Sequence, residues 1–121
     1  MLLVTGSRKW KNAHLLHATL EELHARYGIV GIIHGAAIGA DSMAGAWAQS
    51  KGLIEMTVPY AGAFGNRGGS VRNQWMVDIV SLFDAPFCVA FPTPDASGTW
   101  DCVQKAKARG LPVRIVKGGV E

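Results

Sequence analysis

The stretch of sequence that decides the fold is IVGIIHGAAIGAD, residues 29–41. Its apolar run is typical of a strand that is buried on both faces, and the glycine-rich turn behind it can lead into a helix. The same order of apolar run and glycine turn occurs earlier in LLVTGSR, residues 2–8. In such turns the backbone N–H groups can approach a phosphate or a carboxylate closely. The two stretches therefore predict strand–turn–helix units whose turns hold a negatively charged, nucleotide-like ligand.

The alternation of strand-like and helix-like segments continues along the chain. We predict strands at about residues 2–5, 30–34, 54–58, 86–91 and 113–116, and helices at about residues 12–27, 41–50, 70–83 and 99–109. Strands that alternate with helices form right-handed βαβ units around a parallel sheet. We therefore expect one domain over residues 1–121, an α/β Rossmann-like three-layer sandwich whose five-stranded, mainly parallel sheet has the order 3-2-1-4-5. This order reverses between strands one and four, and ligands bind beyond the carboxyl ends of strands at such a reversal.

Composition and charge limit the class of protein. Of the 121 residues, 49% are hydrophobic and 17% are charged, which favours a packed globule over a disordered chain. The net charge of +3 suits an anionic ligand, but the lack of a dense Lys/Arg run argues against a nucleic-acid partner. The two cysteines form no CxxC motif, and the start of the chain, residues 1–6, has no basic region and is too short for a signal peptide. No apolar stretch is long enough to span a bilayer. We therefore expect a cytoplasmic protein with no membrane partner.

Polar residues and glycines collect just after the predicted strands and at the starts of the predicted helices. In a parallel sheet these positions share one edge, so we expect them to form one ligand-binding rim. The candidate ligand-binding residues are Gly6, Ser7, Arg8, His34, Gly35, Gly39, Asp41, Tyr60, Arg72, Asn73, Ser97, Gly98 and Thr99. The dinucleotide fingerprint GxGxxG and the Walker A loop are both absent, so we expect neither NAD nor another cofactor.

Three charged residues each have a structural and a functional interpretation. The Asp41 carboxylate can cap the second helix or can bind a ribose hydroxyl of a ligand. Arg72 lies at a helix start after a glycine-rich loop, where it can bind phosphate or lie solvated on the surface. Asp101 lies in the first turn of the fourth helix, where the helix dipole alone favours a carboxylate. For each residue both interpretations stay open.

The histidines and aromatic residues are weaker candidates. Three histidines lie at neighbouring angles of the first helix, where no carboxylate or cysteine completes a ligand spacing, so we expect no metal site: His14, His17 and His24. Four aromatic residues lie near predicted rim loops, where they can stack on a base or pack into the core: Trp10, Tyr60, Trp75 and Trp100.

Four segments in the expected order resemble the SLOG superfamily, which joins the DprA DNA-processing proteins and the Lonely Guy phosphoribohydrolases. They are VTGSRKW (residues 4–10), HGAAIGAD (34–41), VRNQWM (71–76) and SGTWD (97–101). The resemblance is greatest to the small stand-alone YspA-like branch, which is common in bacteria and phages. It implies a Rossmann-like fold, a nucleotide or nucleotide-derived ligand, and a homodimer or higher homo-oligomer, for which the third and fourth helices offer apolar residues.

The Lonely Guy enzymes cleave the bond between the base and the ribose 5′-phosphate of a nucleoside monophosphate, using an Arg and a Glu that follows a PGGxGT loop. Arg72 matches that Arg, and Asp101 stands where the Glu would be, one methylene shorter. Residues 92–99, PTPDASGT, lack the double glycine and are two residues longer before Gly98. Two functions are therefore open: a non-catalytic module that senses, carries or sequesters a nucleotide, and an N-glycosidic hydrolase with Arg72 and Asp101 as catalytic residues. DNA binding, by analogy with DprA, is disfavoured by the modest charge.

Overall fold

The computed structural model describes residues 1–119 and confirms the predicted α/β architecture. Its strands are β1 (Leu2–Gly6), β2 (Gly31–His34), β3 (Ile54–Thr57), β4 (Phe87–Phe91) and β5 (Val113–Ile115). Its α-helices are α1 (Ala13–Tyr27), α2 (Ala40–Ser50), α3 (Gly68–Val80) and α4 (Ser97–Ala108), and a short 3₁₀ helix over Gly62–Arg67 precedes α3. The five strands are all parallel in the order β3-β2-β1-β4-β5, as the sequence predicts.

Strand β1 lies at the centre of the sheet, and its apolar side chains suit a position that is covered on both faces. Leu3 pairs with Ile33 of β2 on one side and with Cys88 of β4 on the other. Leu2, Leu3 and Val4 are all buried. A parallel strand that is buried on both faces typically has such a continuous apolar sequence. The strand order β3-β2-β1-β4-β5 reverses beside β1.

Two hydrophobic cores lie on opposite faces of the sheet, which gives the three layers that the sequence predicts. Leu2 and Val4 pack with α1 and α2 on one face. Leu3 and Ile33 pack with α3 and α4 on the other face. Within residues 1–119, no helix combines the length and the apolar character that a bilayer crossing requires.

Helix α1 has the predicted ends, whereas α3 begins and ends earlier than predicted. Helix α1 begins after Asn12, whose side chain accepts from Leu15 N at 3.0 Å, and Gly28 at φ +67° ends it. Helix α3 begins at Gly68 rather than at residue 70, and a Cβ on Gly68 would lie only 2.3 Å from Ala61 O. Gly68 packs tightly against the preceding loop and is part of the helix, whereas the sequence predicts that the helix begins at residue 70.

Helix α2 approaches the sheet closely because small residues face it. A Cβ on Gly45 would lie 2.1 Å from Glu55 Oε2 and 2.9 Å from His34 Nε2. A methyl group on Gly45 would therefore push the ends of the Glu55 and His34 side chains out of their present positions.

We expect Gly45→Ala to lower the free energy of unfolding by about 1–3 kcal/mol, because overpacking forces neighbouring side chains and backbone to shift. Urea denaturation measures this change. Gly98→Ala is the matched control, since an added methyl group there meets no atom within 4 Å, and it should leave stability unchanged or higher. Equal stability of Gly45→Ala and the parent protein would contradict the close packing of α2.

Candidate functional site

A polar cleft opens at the carboxyl ends of the strands, where the strand order reverses. Its volume is about 960 Å³, and the turns after β1 and β2, the loop after β3 and the starts of α3 and α4 all contribute to it. The lining residues are Thr5, Gly6, Ser7, Arg8, Lys9, Gly35, Ala36, Ala37, Ile38, Asp41, Pro59, Tyr60, Asn66, Gly69, Arg72, Asn73, Met76, Asp95, Ala96, Ser97, Gly98 and Thr99. Every candidate ligand-binding residue lines this cleft except His34 and Gly39, and Asp101 also lies outside the lining.

A second cavity, of about 700 Å³, lies at the opposite end of the sheet. Its walls are mostly apolar, with Val30, Phe83, Pro86 and Pro112 among them, and Asp84 provides its only charged side chain. Sites for small polar ligands combine apolar walls with a few converging polar groups. The polar cleft has those groups, so it is the candidate functional site.

Ser7 fixes the turn after β1 by bonding to its neighbours on three sides. Its N–H donates to Phe91 O at 3.0 Å, and its carbonyl accepts from Ala40 N at 3.2 Å. Its Oγ accepts from Thr93 Oγ1 at 2.7 Å and from Lys9 N at 3.0 Å. These bonds hold the turn in place, and the basic side chains that follow Ser7 line the cleft.

The turn after β2 lies directly against the turn after β1. Gly39 has φ +82°, and a Cβ there would lie 2.6 Å from the carbonyl oxygens of both Ser7 and Arg8. Gly39 therefore does not line the cleft, although its lack of a side chain lets the two turns touch. Ala36 also has a positive φ, +60°, which is uncommon for a residue with a Cβ.

The Asp41 carboxylate binds this turn rather than an N–H group of α2. Its Oδ2 accepts from Gly35 N at 3.1 Å and from Ala37 N at 3.3 Å. Burial raises the pKa of Asp41, while the nearby His34, the two backbone N–H groups and Arg72 oppose the rise. Asp41 therefore does not cap α2. Its carboxylate instead holds the turn after β2, which forms part of the cleft wall.

His34 ends β2, as predicted, but its ring turns away from the cleft. Its Nε2 lies 2.6 Å from Glu55 Oε2, and its Nδ1 accepts from Ala36 N at 2.9 Å. Because Nδ1 is an acceptor, we infer that the ring proton lies on Nε2 and is donated to Glu55. His34 thus links the edge strand β3 to Ala36, the residue with a positive φ in the turn after β2.

Glu55 is a residue that sequence reasoning missed. It accepts from Gln49 Nε2 at 2.6 Å in addition to its contact with His34, and these two hydrogen bonds, His34 first, lower the pKa of Glu55. The one sequence feature that could have revealed it is a carboxylate in the middle of a short strand, opposite a helical glycine, Gly45.

Arg72 is anchored across the cleft. Its Nη1 donates to Gly35 O at 2.8 Å, and its Nε donates to Asn73 Oδ1 at 2.9 Å. Its Nη2 donates to no protein atom within residues 1–119. The guanidinium is therefore held in one orientation and keeps donor capacity for a ligand.

Asn73 separates Asp101 from the cleft. Its Nδ2 donates to Gly98 O at 3.1 Å and to Asp101 Oδ2 at 3.0 Å. Burial acts to raise the pKa of Asp101, but hydrogen bonds from Lys105 and Asn73 outweigh it, so the pKa lies below its ordinary value. Asp101 is consequently an ionised carboxylate behind the cleft wall. Because α4 begins at Ser97, Asp101 lies past the first turn of the helix, where the sequence wrongly placed it.

The start of α4 offers uncommitted N–H groups to the cleft. Ala96 occupies the N-cap and has no side-chain acceptor, and the N–H groups of Gly98 and Thr99 have no acceptor among the described residues. Nearby, Lys9 Nζ pairs with Asp95 Oδ2, and this contact, followed by the Thr93 hydroxyl, lowers the pKa of Asp95.

Of the four aromatic residues near the predicted rim, only Tyr60 lines the cleft. Its hydroxyl donates to Gly65 O, and its ring packs over Gly68 while the side chain stays 53% exposed. Trp10 is a core residue instead, 1% exposed and packed edge-on to Phe91. Trp75 packs against Phe64 on the outer surface.

The two thiols lie outside the cleft lining, buried on the sheet face that α3 and α4 cover. Burial raises the pKa of Cys88, and it raises the pKa of Cys102 to about 11. Both thiols are therefore protonated at neutral pH. Within residues 1–119, no group of three or more His, Cys, Asp or Glu side chains is placed to hold a metal ion.

The lowered pKa of Glu55 predicts an acid-sensitive contribution to stability. A carboxylate whose pKa is lower in the folded state stabilises the fold above its unfolded pKa, near the ordinary glutamate value of 4.5, and loses this effect as the pH falls through the folded pKa. Glu55→Gln should therefore flatten the fall of the unfolding free energy below that pH. The measurement is urea denaturation from pH 3 to pH 7. Glu22→Gln, on the exposed face of α1, is the control and should keep the parent slope, whereas a parent slope in Glu55→Gln would contradict the His34–Glu55 contact.

Comparisons with known proteins agree with this architecture. A family model described as "YspA, cpYpsA-related SLOG family" matches residues 1–59, which contain both glycine turns. The Gene 61 protein of Mycobacterium phage D29 is 35% identical over an alignment of 120 positions, which spans 93% of this chain and 92% of that protein. No solved structure matches the chain significantly. Because the similarity runs through nearly the whole chain and the family model covers its two glycine turns, the chain belongs to the YspA, cpYpsA-related SLOG family.

Proposed function

We propose that the cleft binds a nucleotide or a nucleotide-derived molecule, and that the chain senses, carries or sequesters this ligand. The observation that carries the proposal is the convergence of the anchored Arg72 guanidinium and the uncommitted N–H groups of Gly98 and Thr99 in one cleft. Membership of the SLOG family is compatible with a nucleotide-related ligand.

The phosphate end of the ligand belongs at the start of α4. Free N–H groups and the positive end of the helix dipole stabilise an anion there. Arg8 and Lys9 line the cleft beside them and add positive charge. A phosphate that reached Lys9 would replace Asp95 as its partner, so Asp95 occupies the position that a ligand anion would take.

The rest of the cleft suits a sugar and a base. A volume of about 960 Å³ lies within the usual range for small-molecule sites, roughly 300–1,000 Å³. The Tyr60 ring is held in place by Gly68 and remains half exposed, which suits stacking on a planar base.

N-glycosidic hydrolysis is the second candidate, and a continuous hydrogen-bonded chain favours it. Arg72 Nε donates to Asn73 Oδ1, and Asn73 Nδ2 donates to the ionised Asp101. A carboxylate can stabilise oxocarbenium-like charge on a ribose and activate the attacking water. Asp101 lies outside the cleft lining and is paired with Lys105, so binding without catalysis remains the primary proposal.

Binding predicts thermal stabilisation by the 5′-monophosphates of adenosine, guanosine, cytidine or uridine. At about 100 times its Kd a ligand stabilises the fold by about 2.7 kcal/mol, which raises the Tm of a domain of this size by about 10 °C. Arg72→Ala should remove the ligand-induced shift measured against its own Tm. Arg109→Ala, which loses only a surface pair with Asp78, should keep the shift. No shift with any of the four compounds at millimolar concentration would contradict the proposal.

The same compounds separate binding from catalysis. We expect no release of free base when the protein is incubated with each nucleotide and the products are separated by chromatography. Release that Asp101→Asn and Arg72→Ala both abolish would make the hydrolase the better account. Release that survives both substitutions would rule out these two catalytic residues.

A further inference from the structure

One carboxylate oxygen in the cleft lacks a hydrogen-bond donor. The Asp41 side chain belongs to a residue that is only 5% exposed, and its Oδ2 accepts two backbone N–H groups. Its Oδ1 is buried and accepts from no atom within residues 1–119. Leaving such an acceptor unsatisfied is costly, and more so when it is charged, so a native protein rarely keeps one without a reason. The missing donor therefore marks a position where a ligand can supply it.

Arg72 lies near the Asp41 carboxylate without bonding to it. A Cβ on Gly35 would lie 2.2 Å from Arg72 Nη1 and 3.1 Å from Asp41 Oδ2, so both groups lie against the same side of Gly35. The Nη1 and Nε groups of Arg72 are committed to Gly35 O and Asn73 Oδ1. The cleft thus offers an uncommitted acceptor, Asp41 Oδ1, and the guanidinium near that carboxylate, Arg72, keeps an uncommitted donor, Nη2.

A hydroxyl group fits this pair better than a phosphate does. A hydroxyl donates one hydrogen bond and accepts others, so it can satisfy Oδ1 and receive from Nη2 at once. An ionised phosphate oxygen has no proton to donate, and its charge would be repelled by the Asp41 carboxylate. Phosphate is therefore directed away from Asp41, toward the start of α4.

We propose that Asp41 Oδ1 accepts a hydrogen bond from a ribose hydroxyl of the ligand while Arg72 donates to the same sugar, so that the site prefers ribonucleotides to at least one of their deoxy forms. This inference rests on the proposed function and names the class of ligand. It makes Asp41 a specificity-determining residue and leaves its contacts to Gly35 and Ala37 intact.

Binding constants for the ribose, 2′-deoxyribose and 3′-deoxyribose forms of one nucleoside 5′-monophosphate test the inference. Loss of a hydrogen bond to a charged group weakens binding about 10- to 100-fold, so at least one deoxy form should bind that much more weakly than the ribose form. In Asp41→Asn the amide oxygen can keep the two loop N–H bonds, but the amide nitrogen cannot accept from a hydroxyl. The preference for the ribose form should then fall well below that of the parent protein, because only a neutral hydrogen bond, worth about tenfold at most, can remain.

Asp95→Asn is the matched control, because Asp95 is another cleft carboxylate and pairs with Lys9. It should keep the full preference for the ribose form. Equal binding of all three sugar forms by the parent protein would overturn the inference and leave the proposed function standing. No binding of any form would overturn both, and the parent protein gives these results even if Asp41→Asn fails to fold.

Discussion

The cleft depends on the contact between the turns after β1 and β2, and this contact depends on positions that carry no side chain. A Cβ on Gly39 would lie within 2.6 Å of two carbonyl oxygens of the first turn, and one on Gly6 would lie 2.3 Å from the Ala40 Cβ. The carbonyl of Ser7 and the N–H of Ala40 then join the two turns. Larger residues at these glycines would force the turns apart and move the cleft walls that they carry.

The cleft is lined by three cationic side chains and two carboxylates, and these charges are only partly committed to one another. Lys9 is paired with Asp95, and the buried Asp41 keeps one oxygen without a donor. Arg72 is anchored on two sides and still has donor capacity. These free groups are complementary to a ligand that has a negative group at one end and a hydroxyl at the other. A nucleotide has both groups, whereas a simple anion such as phosphate has only the first.

The fold could be predicted because its decisive features are local. The apolar run of β1 indicates a strand buried on both faces, and the alternation of strands and helices implies a parallel sheet whose carboxyl edge collects the loops. Side-chain direction could not be predicted in the same way. Whether the His34 ring faces the cleft or α2 is decided by Glu55, far along the chain, and the separation of Asp101 from the cleft is decided by Asn73 on another helix.

The central claim is that the carboxyl-edge cleft is where the ligand binds, and amide chemical shifts test it most directly. In a titration of the ¹⁵N-labelled protein with its most stabilising nucleoside monophosphate, the account predicts saturable shifts at Gly35, Ala37, Gly98 and Thr99. Shifts confined to the apolar cavity around Val30 and Phe83, or no saturable shift at all, would contradict it.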